Sequence, residues 1–226
     1  MDARVSDSPR HAFPVIGLTG SIGAGKTLVA EILASLGCLV SDSDALARAA
    51  LADPAIRAQL VAWWGSTVLN SQGEINRSAV ASIIFAAPSA TTAQQAAAKQ
   101  DRLRLEALSH PWIALRRNEL FAAALPSTKA LVIEAPLLLE SAMQDQCDAI
   151  WMVDAPFSLR LERVKASREW PEAELRRREI VQMPLDLKRK LAHDVLINDS
   201  SVESLRAQVA RILSLTLEKH QGKQRA

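Results

Sequence analysis

The stretch VIGLTGSIGAGKTLVAEIL, Val15 to Leu33, decides the fold class. It opens with an apolar run, continues through GSIGAGKT and ends in an amphipathic run. The central octet, Gly20 to Thr27, matches the pattern G-x-x-x-x-G-K-[ST], which requires a strand before it and a helix after it. Both flanking runs have that character, so we predict a phosphate-binding loop (P-loop) between the first strand and the first helix.

The spacing of this octet suits a nucleoside triphosphate. Glycines let successive backbone N–H groups converge on an anion, and the helix that follows adds its positive N-terminal end. We predict that Lys26 reaches the β- and γ-phosphates and that the Thr27 hydroxyl ligates Mg²⁺. The residues predicted to bind ATP here are Gly20, Ser21, Ile22, Gly23, Ala24, Gly25, Lys26 and Thr27.

Five short apolar runs are predicted to be strands. Each is continuous rather than alternating, as is typical of parallel strands covered on both faces, and helical stretches separate them. The runs are Val15–Thr19, Cys38–Ser41, Ala130–Glu134, Ala149–Val153 and Val195–Ile197. No strand pattern occurs between the second and third runs, which predicts an inserted helical subdomain. Within it, the alanine-rich run Ala86–Ala98 favours either a helix or a loose linker.

Composition excludes several classes of protein. The 226 residues, 49% hydrophobic and 23% charged, suit one α/β domain, or one core with an inserted subdomain. A net charge of +2 indicates no nucleic-acid partner. We expect no membrane span, because no apolar run reaches about 18 residues. The polar start of the chain does not resemble a signal peptide, so we expect a cytoplasmic protein. Cys38 and Cys147 match no metal-ligand spacing.

Two aspartates follow the second predicted strand, at the edge where α/β sheets bind ligands. In LVSDSDALAR they are Asp42 and Asp44. A kinase needs a group that orients the acceptor hydroxyl and takes its proton, and Asp44 is the candidate base. Asp42 would position Asp44 or reach Mg²⁺ through water. A purely structural alternative is an Asx turn with Asp44 as a helix N-cap.

The segment from Phe157 to Lys190 is rich in arginine and lysine. Most of these cations are expected to pair with neighbouring acids on a solvated helical surface. Arg168 precedes a predicted break between two helices, where a mobile arginine could stabilise charge on the transferring group. No glycine occurs between Gly73 and Gly222, so the glycine motifs of adenylate-kinase-like enzymes and shikimate kinases are absent.

Taken together, six segments in order resemble the dephospho-CoA kinase family. They are IGLTGSIGAGKT, VSDSDALAR, GEINRSAVASIIF, LSHPWI, VIEAPLLLE and RRREIVQMPLDLKRKLAHDVLIND. The resemblance implies an α/β fold in which a P-loop kinase core with a five-stranded parallel sheet carries a helical acceptor-binding subdomain and a lid. It also implies ATP-dependent phosphorylation of the ribose 3′-hydroxyl of dephospho-CoA, the last step of coenzyme A synthesis.

The resemblance assigns roles to individual residues. Asp44 would activate the 3′-hydroxyl. Arg168 and Arg178 would clamp phosphates from the lid, and Asn198 would lie near the adenine of ATP. On the acceptor side the implied residues are Asp42, Arg77, His110, Pro136 and Leu137.

The expected boundaries follow from the same resemblance. We predict a single P-loop kinase domain at 14–226, with the acceptor subdomain at 45–128, the lid at 156–193 and a flexible N-terminal extension at 1–13. A monomer or small homo-oligomer is expected.

The sequence departs from the family pattern at several points. The spacing between Phe85 and His110 is long, His193 stands where the family usually has aspartate, and Ser41 and Ser43 flank the aspartates. Two alternatives therefore stay open. One is a related P-loop small-molecule or nucleotide kinase with a different acceptor, and the other is a nucleotide-binding regulator without catalysis.

Overall fold

A computed structural model of the chain describes residues 12–87, 89–180 and 182–225. The predicted extension at 1–13 therefore lies outside the described residues, apart from its last two positions. The chain divides into two compact units. The first comprises the chain up to Asp42 together with the chain from Ala123 onward, and the second is Ser43–Ala122.

The first unit contains a five-stranded, fully parallel sheet in the order β2-β3-β1-β4-β5. Its strands are β1 (Val15–Gly20), β2 (Leu39–Asp42), β3 (Leu131–Glu134), β4 (Ala149–Asp154) and β5 (Asp194–Ile197). The sequence-based prediction of an α/β fold with a five-stranded parallel sheet is confirmed, and each strand boundary agrees to within one residue.

Helices connect the strands. In the described part of the chain they are α1 (Lys26–Ser35), α2 (Ser43–Ala50), α3 (Pro54–Trp64), α4 (Arg77–Ile84), α5 (Thr92–Ala122), α6 (Phe157–Arg168), α7 (Glu172–Ile180), α8 (Leu185–Leu191) and α9 (Val202–Arg225). Two short 3₁₀ helices lie at Ser66–Val68 and Ala142–Gln146. No described helix combines the length and the apolar character that crossing a bilayer would require.

The core of the first unit forms between the sheet and helices α1 and α9. Leu18 of the central strand β1 and Trp151 of the neighbouring strand β4 are fully buried against Leu33 of α1 and Val209 of α9. Such burial is the main driving force for folding, at about 25 cal/mol for each Å² of apolar surface. This packing holds the sheet in place, and the loops after β1, β3 and β4 leave the sheet at its carboxyl-terminal edge.

The second unit is helical, and in its described residues the strand pairing is limited to one isolated bridge between Leu69 and Ile75. Apolar side chains of α2, α3 and α5 form its core around Ile56 and Leu60. Asp53 caps α3, and it also accepts a 2.9 Å hydrogen bond from the indole of Trp112. The backbone N–H of Ile56, Trp112 and the N–H of Ala55 hold the pKa of Asp53 below its usual value.

The alanine-rich run shows parts of both predicted conformations. Residues 92–98 form the first turns of α5, which extends over 31 residues and contains Pro111. The residues described between Ala86 and Thr91 precede that helix. The run is thus a connection that leads into a helix.

Candidate active site

The P-loop joins the end of β1 to the start of α1. Gly25 caps α1 with φ 95° and without a side-chain hydrogen bond. A Cβ at this position would lie 2.3 Å from Asn198 Nδ2, so only glycine satisfies both the left-handed backbone and the close approach. Gly23 has φ 77°, and a Cβ there would lie 2.8 Å from the carbonyl oxygen of Arg160. These two glycines therefore have the left-handed backbone that a tight glycine-rich loop requires.

The carbonyl groups of the P-loop accept hydrogen bonds from side chains outside it. Arg160 Nη1 donates to the carbonyl of Ile22 at 3.3 Å, and Asn198 Nδ2 donates to the carbonyl of Ala24 at 2.7 Å. Arg163 Nη1 lies 3.5 Å and 3.4 Å from the carbonyls of Gly23 and Ala24. The prediction that Asn198 is near the adenine stays a prediction; its amide contacts the loop itself. Sequence reasoning assigned no site role to Arg160 or Arg163.

A buried carboxylate lies beside the loop at the end of β3. The Thr27 hydroxyl donates to Glu134 Oε1 at 3.5 Å, and Glu134 is only 8% exposed. Glu134 is also the cross-strand partner of Asp42 at the end of β2. Glu134 was not predicted as a site residue, although it ends the third apolar run just as Asp42 follows the second.

These oxygen donors fit Mg²⁺. Hydroxyl and carboxylate groups are the ligands that it prefers, and it retains several waters and substrate phosphates rather than filling a protein cage. Among the described residues no group of three His, Cys, Asp or Glu side chains forms such a cage. Thr27, with Asp42 and Glu134 nearby, is the set of residues that could hold the ion.

The end of β4 supplies a second buried carboxylate. Asp154, 5% exposed, accepts hydrogen bonds from the Ser21 hydroxyl at 3.4 Å and the Ala155 N–H at 2.9 Å. It also accepts from Arg189 Nε at 2.8 Å, and this bond raises the pKa of the Arg189 guanidinium. An ionic link thus joins α8 to the P-loop. Asp154 ends the fourth apolar run, but sequence reasoning gave it no role.

The two arginines predicted to act from the lid lie on one aromatic ring. The guanidinium of Arg168 is 4.8 Å from the ring centroid of Trp170, and that of Arg178 is 4.1 Å from it. Arg178 Nε also donates to Glu174 at 2.6 Å. Hydrogen bonds from Arg177 and Arg178 lower the pKa of Glu174 to about 2. Trp170 therefore brings together residues that sequence analysis selected separately.

The loop after β3 contains two of the residues predicted for the acceptor side, Pro136 and Leu137. The Pro136 carbonyl accepts hydrogen bonds from Lys188 Nζ at 3.0 Å and the Thr19 hydroxyl at 3.3 Å. Lys188 is fully buried and forms an ion pair with Glu140 at 3.0 Å. Leu137 is 48% exposed. The backbone of this loop is fixed while the Leu137 side chain is accessible.

Three predicted residues belong to the second unit. Asp44 lies in the first turn of α2, which begins at Ser43, so it is inside the helix rather than its N-cap. Arg77 begins α4 after the Asn76 cap, and His110 lies within α5. All three side chains are exposed. Their roles, and that of Lys26 at the start of α1, remain predictions.

A parallel sheet whose first strand leads through a glycine-rich loop into a helix beginning with Lys26 and Thr27 defines a P-loop kinase core. Comparison with known proteins narrows the class. The model of the dephospho-CoA kinase family matches residues 14–204. The chain therefore belongs to the dephospho-CoA kinase family, and the resemblance stated from the sequence is confirmed.

Individual relatives agree with this assignment. A dephospho-CoA kinase from Thermobifida fusca is 37% identical over 199 residues, which cover 87% of this chain and 93% of the relative. A crystal structure of a Thermus thermophilus protein superposes with a TM-score of 0.74 at 32% identity, covering 91% of this chain and 98% of that one. Dephospho-CoA kinase from Campylobacter jejuni shares the fold, with a TM-score of 0.56 at 21% identity, covering 89% of this chain and 96% of that one.

Proposed function

We propose that this kinase transfers the γ-phosphoryl group of ATP to the ribose 3′-hydroxyl of dephospho-CoA, giving coenzyme A and ADP. The observation that carries the proposal is the family match over residues 14–204 together with a complete P-loop at Gly20 to Thr27. The bond from the 3′-oxygen to the γ-phosphorus forms as the bond from that phosphorus to the β,γ-bridging oxygen breaks. The hydroxyl proton leaves with the base.

Lys26 and the N–H groups of the P-loop would bind the phosphates, because the loop is built from glycines whose backbone permits that approach. Thr27, near Glu134 and Asp42, would hold Mg²⁺. When bound, this ion neutralises charge on the β- and γ-phosphate oxygens. Fixed N–H donors and the Lys26 ammonium would act on charge that develops in the transition state, and such preorganised electrostatics supply much of the rate enhancement of many enzymes.

Asp44 would orient the 3′-hydroxyl and accept its proton. Its support is its sequence position, two residues after the last residue of β2, and its resemblance to the family's second aspartate. General-base groups of this kind contribute roughly 10²–10⁴-fold to rate. Asp42, Arg77, His110, Pro136 and Leu137 are proposed to bind the acceptor.

Arg168 and Arg178 would contact ATP phosphates when the lid region closes. Their shared position on Trp170 supports joint action, because both guanidinium groups contact the same ring. Arg178 is also paired with Glu174, so nucleotide binding would exchange one anionic partner for another. Asn198 is proposed to lie near the nucleotide because it contacts Gly25.

Coupled ADP release with Mg-ATP tests this proposal. The acceptor panel contains dephospho-CoA, AMP, CMP, shikimate and gluconate. We expect turnover with dephospho-CoA alone. Turnover with another acceptor would establish the alternative of a related small-molecule kinase, which the long Phe85–His110 spacing permits. Tight Mg-ATP binding without any acceptor-dependent turnover would establish a regulator instead.

A further inference from the structure

Carbonyl groups of the P-loop accept hydrogen bonds from two side chains that no sequence motif assigned to the loop. Arg163, on α6, donates through Nη2 to the Asn198 carbonyl at 3.0 Å and to Asn198 Oδ1 at 3.4 Å. Its Nη1 lies 3.4 Å from the carbonyl of Ala24. Asn198 Nδ2 then donates to that same carbonyl at 2.7 Å. The three residues form a closed hydrogen-bonded triangle.

Two of the three residues in this triangle are buried, and Arg163 is half-buried. Ala24 is fully buried and Asn198 is 6% exposed. Hydrogen bonds are stronger in such surroundings, and those with a charged donor are stronger still. Arg163 also fixes the orientation of the Asn198 amide, because it donates to the amide oxygen. A flipped amide would place its NH₂ group against Arg163 and its oxygen against the Ala24 carbonyl. Asn198 therefore donates to the loop because Arg163 holds its oxygen.

The orientation of the peptide groups decides whether the loop can bind phosphate. An anion nest needs several N–H groups directed to one point, and each N–H is opposite to a carbonyl in its own peptide plane. Fixing the Ala24 carbonyl toward Arg163 and Asn198 therefore fixes the N–H of Gly25 in the opposite direction, whereas the N–H of Ala24 donates to the Ser21 carbonyl at 3.2 Å. Gly25, with φ 95°, gives this peptide plane more rotational freedom than a residue with a side chain would.

We propose that Arg163 is a positioning residue for phosphate binding, which acts through Asn198 to fix the Ala24–Gly25 peptide plane before the nucleotide arrives. This inference rests on the proposed binding of nucleotide phosphates by the loop, and it is independent of the acceptor. An ordered loop has less conformational entropy to lose on binding. Its effect is on nucleotide affinity, and it is equal for ATP and ADP because the γ-phosphate is not needed.

Calorimetric binding of Mg-ADP to the full chain tests the proposal. Arg163→Ala is expected to weaken binding about tenfold, the effect of about 1.4 kcal/mol. Asn198→Ala should weaken binding by a similar factor, and the double variant by little more, because residues of one network are not additive. The matched control is Arg206→Ala, whose guanidinium donates to Ser35 Oγ. Affinities within twofold of the wild type, or fully additive losses, would overturn the proposal.

Hydrogen exchange without nucleotide supplies a readout that a general loss of stability would not reproduce. The N–H of Gly25 should exchange faster in Arg163→Ala relative to those of Ile16 and Leu18 in β1. Arg163→Lys is measured as a second variant, in case the alanine variant destabilises the whole unit. It should show the same change, because a single ammonium cannot span the triangle. An unchanged ratio in both variants would contradict the proposal. If the wild type binds Mg-ADP but does not phosphorylate dephospho-CoA, the proposed function fails while this test still applies.

Discussion

The Thr27 hydroxyl donates a 3.5 Å hydrogen bond to Glu134, a carboxylate that is only 8% exposed. Glu134 ends β3 and pairs with Leu18 of β1, the strand that leads into the P-loop. A buried anion beside the hydroxyl proposed to ligate Mg²⁺ is costly unless a cation or hydrogen bonds compensate it. This relationship makes Glu134 part of the proposed metal environment.

We expect Glu134→Gln to raise the Mg²⁺ concentration needed for half-maximal turnover by about 10–100-fold, the usual cost of losing a partner of a metal ligand. The glutamine keeps the size of the side chain and removes its charge. Initial rates at varied Mg²⁺ and saturating ATP measure the effect. Glu31→Gln, at an exposed position of α1, is the control. An unchanged Mg²⁺ dependence in Glu134→Gln would show that Glu134 has no part in metal binding.

Trp170→Ala removes the ring that Arg168 and Arg178 share. Each exposed cation–π contact contributes about 0.5–1 kcal/mol, so the KM for ATP should rise about fivefold to thirtyfold. Trp170→Phe keeps an aromatic face and should retain most of the affinity. Steady-state kinetics with varied ATP distinguish the two variants. Equal KM values for the alanine variant and the wild type would exclude Trp170 from lid function.

Lys188→Met should lower the free energy of unfolding of the first unit by about 3 kcal/mol, the low end for breaking a buried ion pair, since the Glu140 side chain is 23% exposed. The change leaves Glu140 without this cation and takes the Lys188 donor from the Pro136 carbonyl. Urea unfolding followed by circular dichroism measures the loss. Adding Glu140→Gln should restore part of it, because the uncompensated charge is gone. Additive losses in the double variant would refute a coupled pair.

Cys38 should resist alkylation in the folded protein. Burial raises the pKa of the Cys38 thiol to about 11, so its thiolate is about a thousandth of the total at pH 8. In a Cys147→Ser background, the iodoacetamide rate should rise about tenfold per pH unit until the pH approaches that pKa. The urea-unfolded chain is the control. A folded-state rate equal to the unfolded one would contradict this burial.

The Cys38 proton also links the stability of the chain to pH. The folded chain holds this proton more tightly than the unfolded chain, in which the pKa of the thiol is about 8.5. The contribution of Cys38 to stability is therefore constant below that pH and is lost as the pH rises toward 11. Urea midpoints measured at pH 8 and pH 10 in the same background should fall with pH.

The strands and the P-loop were predictable because their signals are local. A continuous apolar run such as Ala149–Val153 specifies a buried parallel strand by itself, and the GSIGAGKT octet contains its own chemistry. The partners of Glu134 and Asp154 lie 107 and 133 residues away, at Thr27 and Ser21. The place of each carboxylate at the end of an apolar run is visible in the sequence, but the identity of its partner is not.

The arginines of the 157–190 segment also show that contacts between residues far apart in the chain cannot be predicted from local sequence. Arg176 pairs with Glu172 four residues earlier, as the surface pattern predicts. Arg163 lies in the same basic segment but contacts Gly23, 140 residues away. Composition cannot separate the two, because the difference depends on which helix face meets the sheet. The prediction that most of these cations are paired locally on a solvated surface holds for Arg176, and Arg163 is one of the exceptions that it did not identify.

The decisive experiment identifies the product formed from dephospho-CoA and Mg-ATP. The reaction is quenched after several turnovers and the product is examined by phosphorus NMR and mass spectrometry, for the wild type and for Asp44→Asn. We expect one new phosphomonoester on the ribose 3′-oxygen, formed at a rate about 10²–10⁴-fold lower in the variant. A phosphate on any other oxygen, or ADP formed without a phosphorylated acceptor, would contradict the proposed transfer.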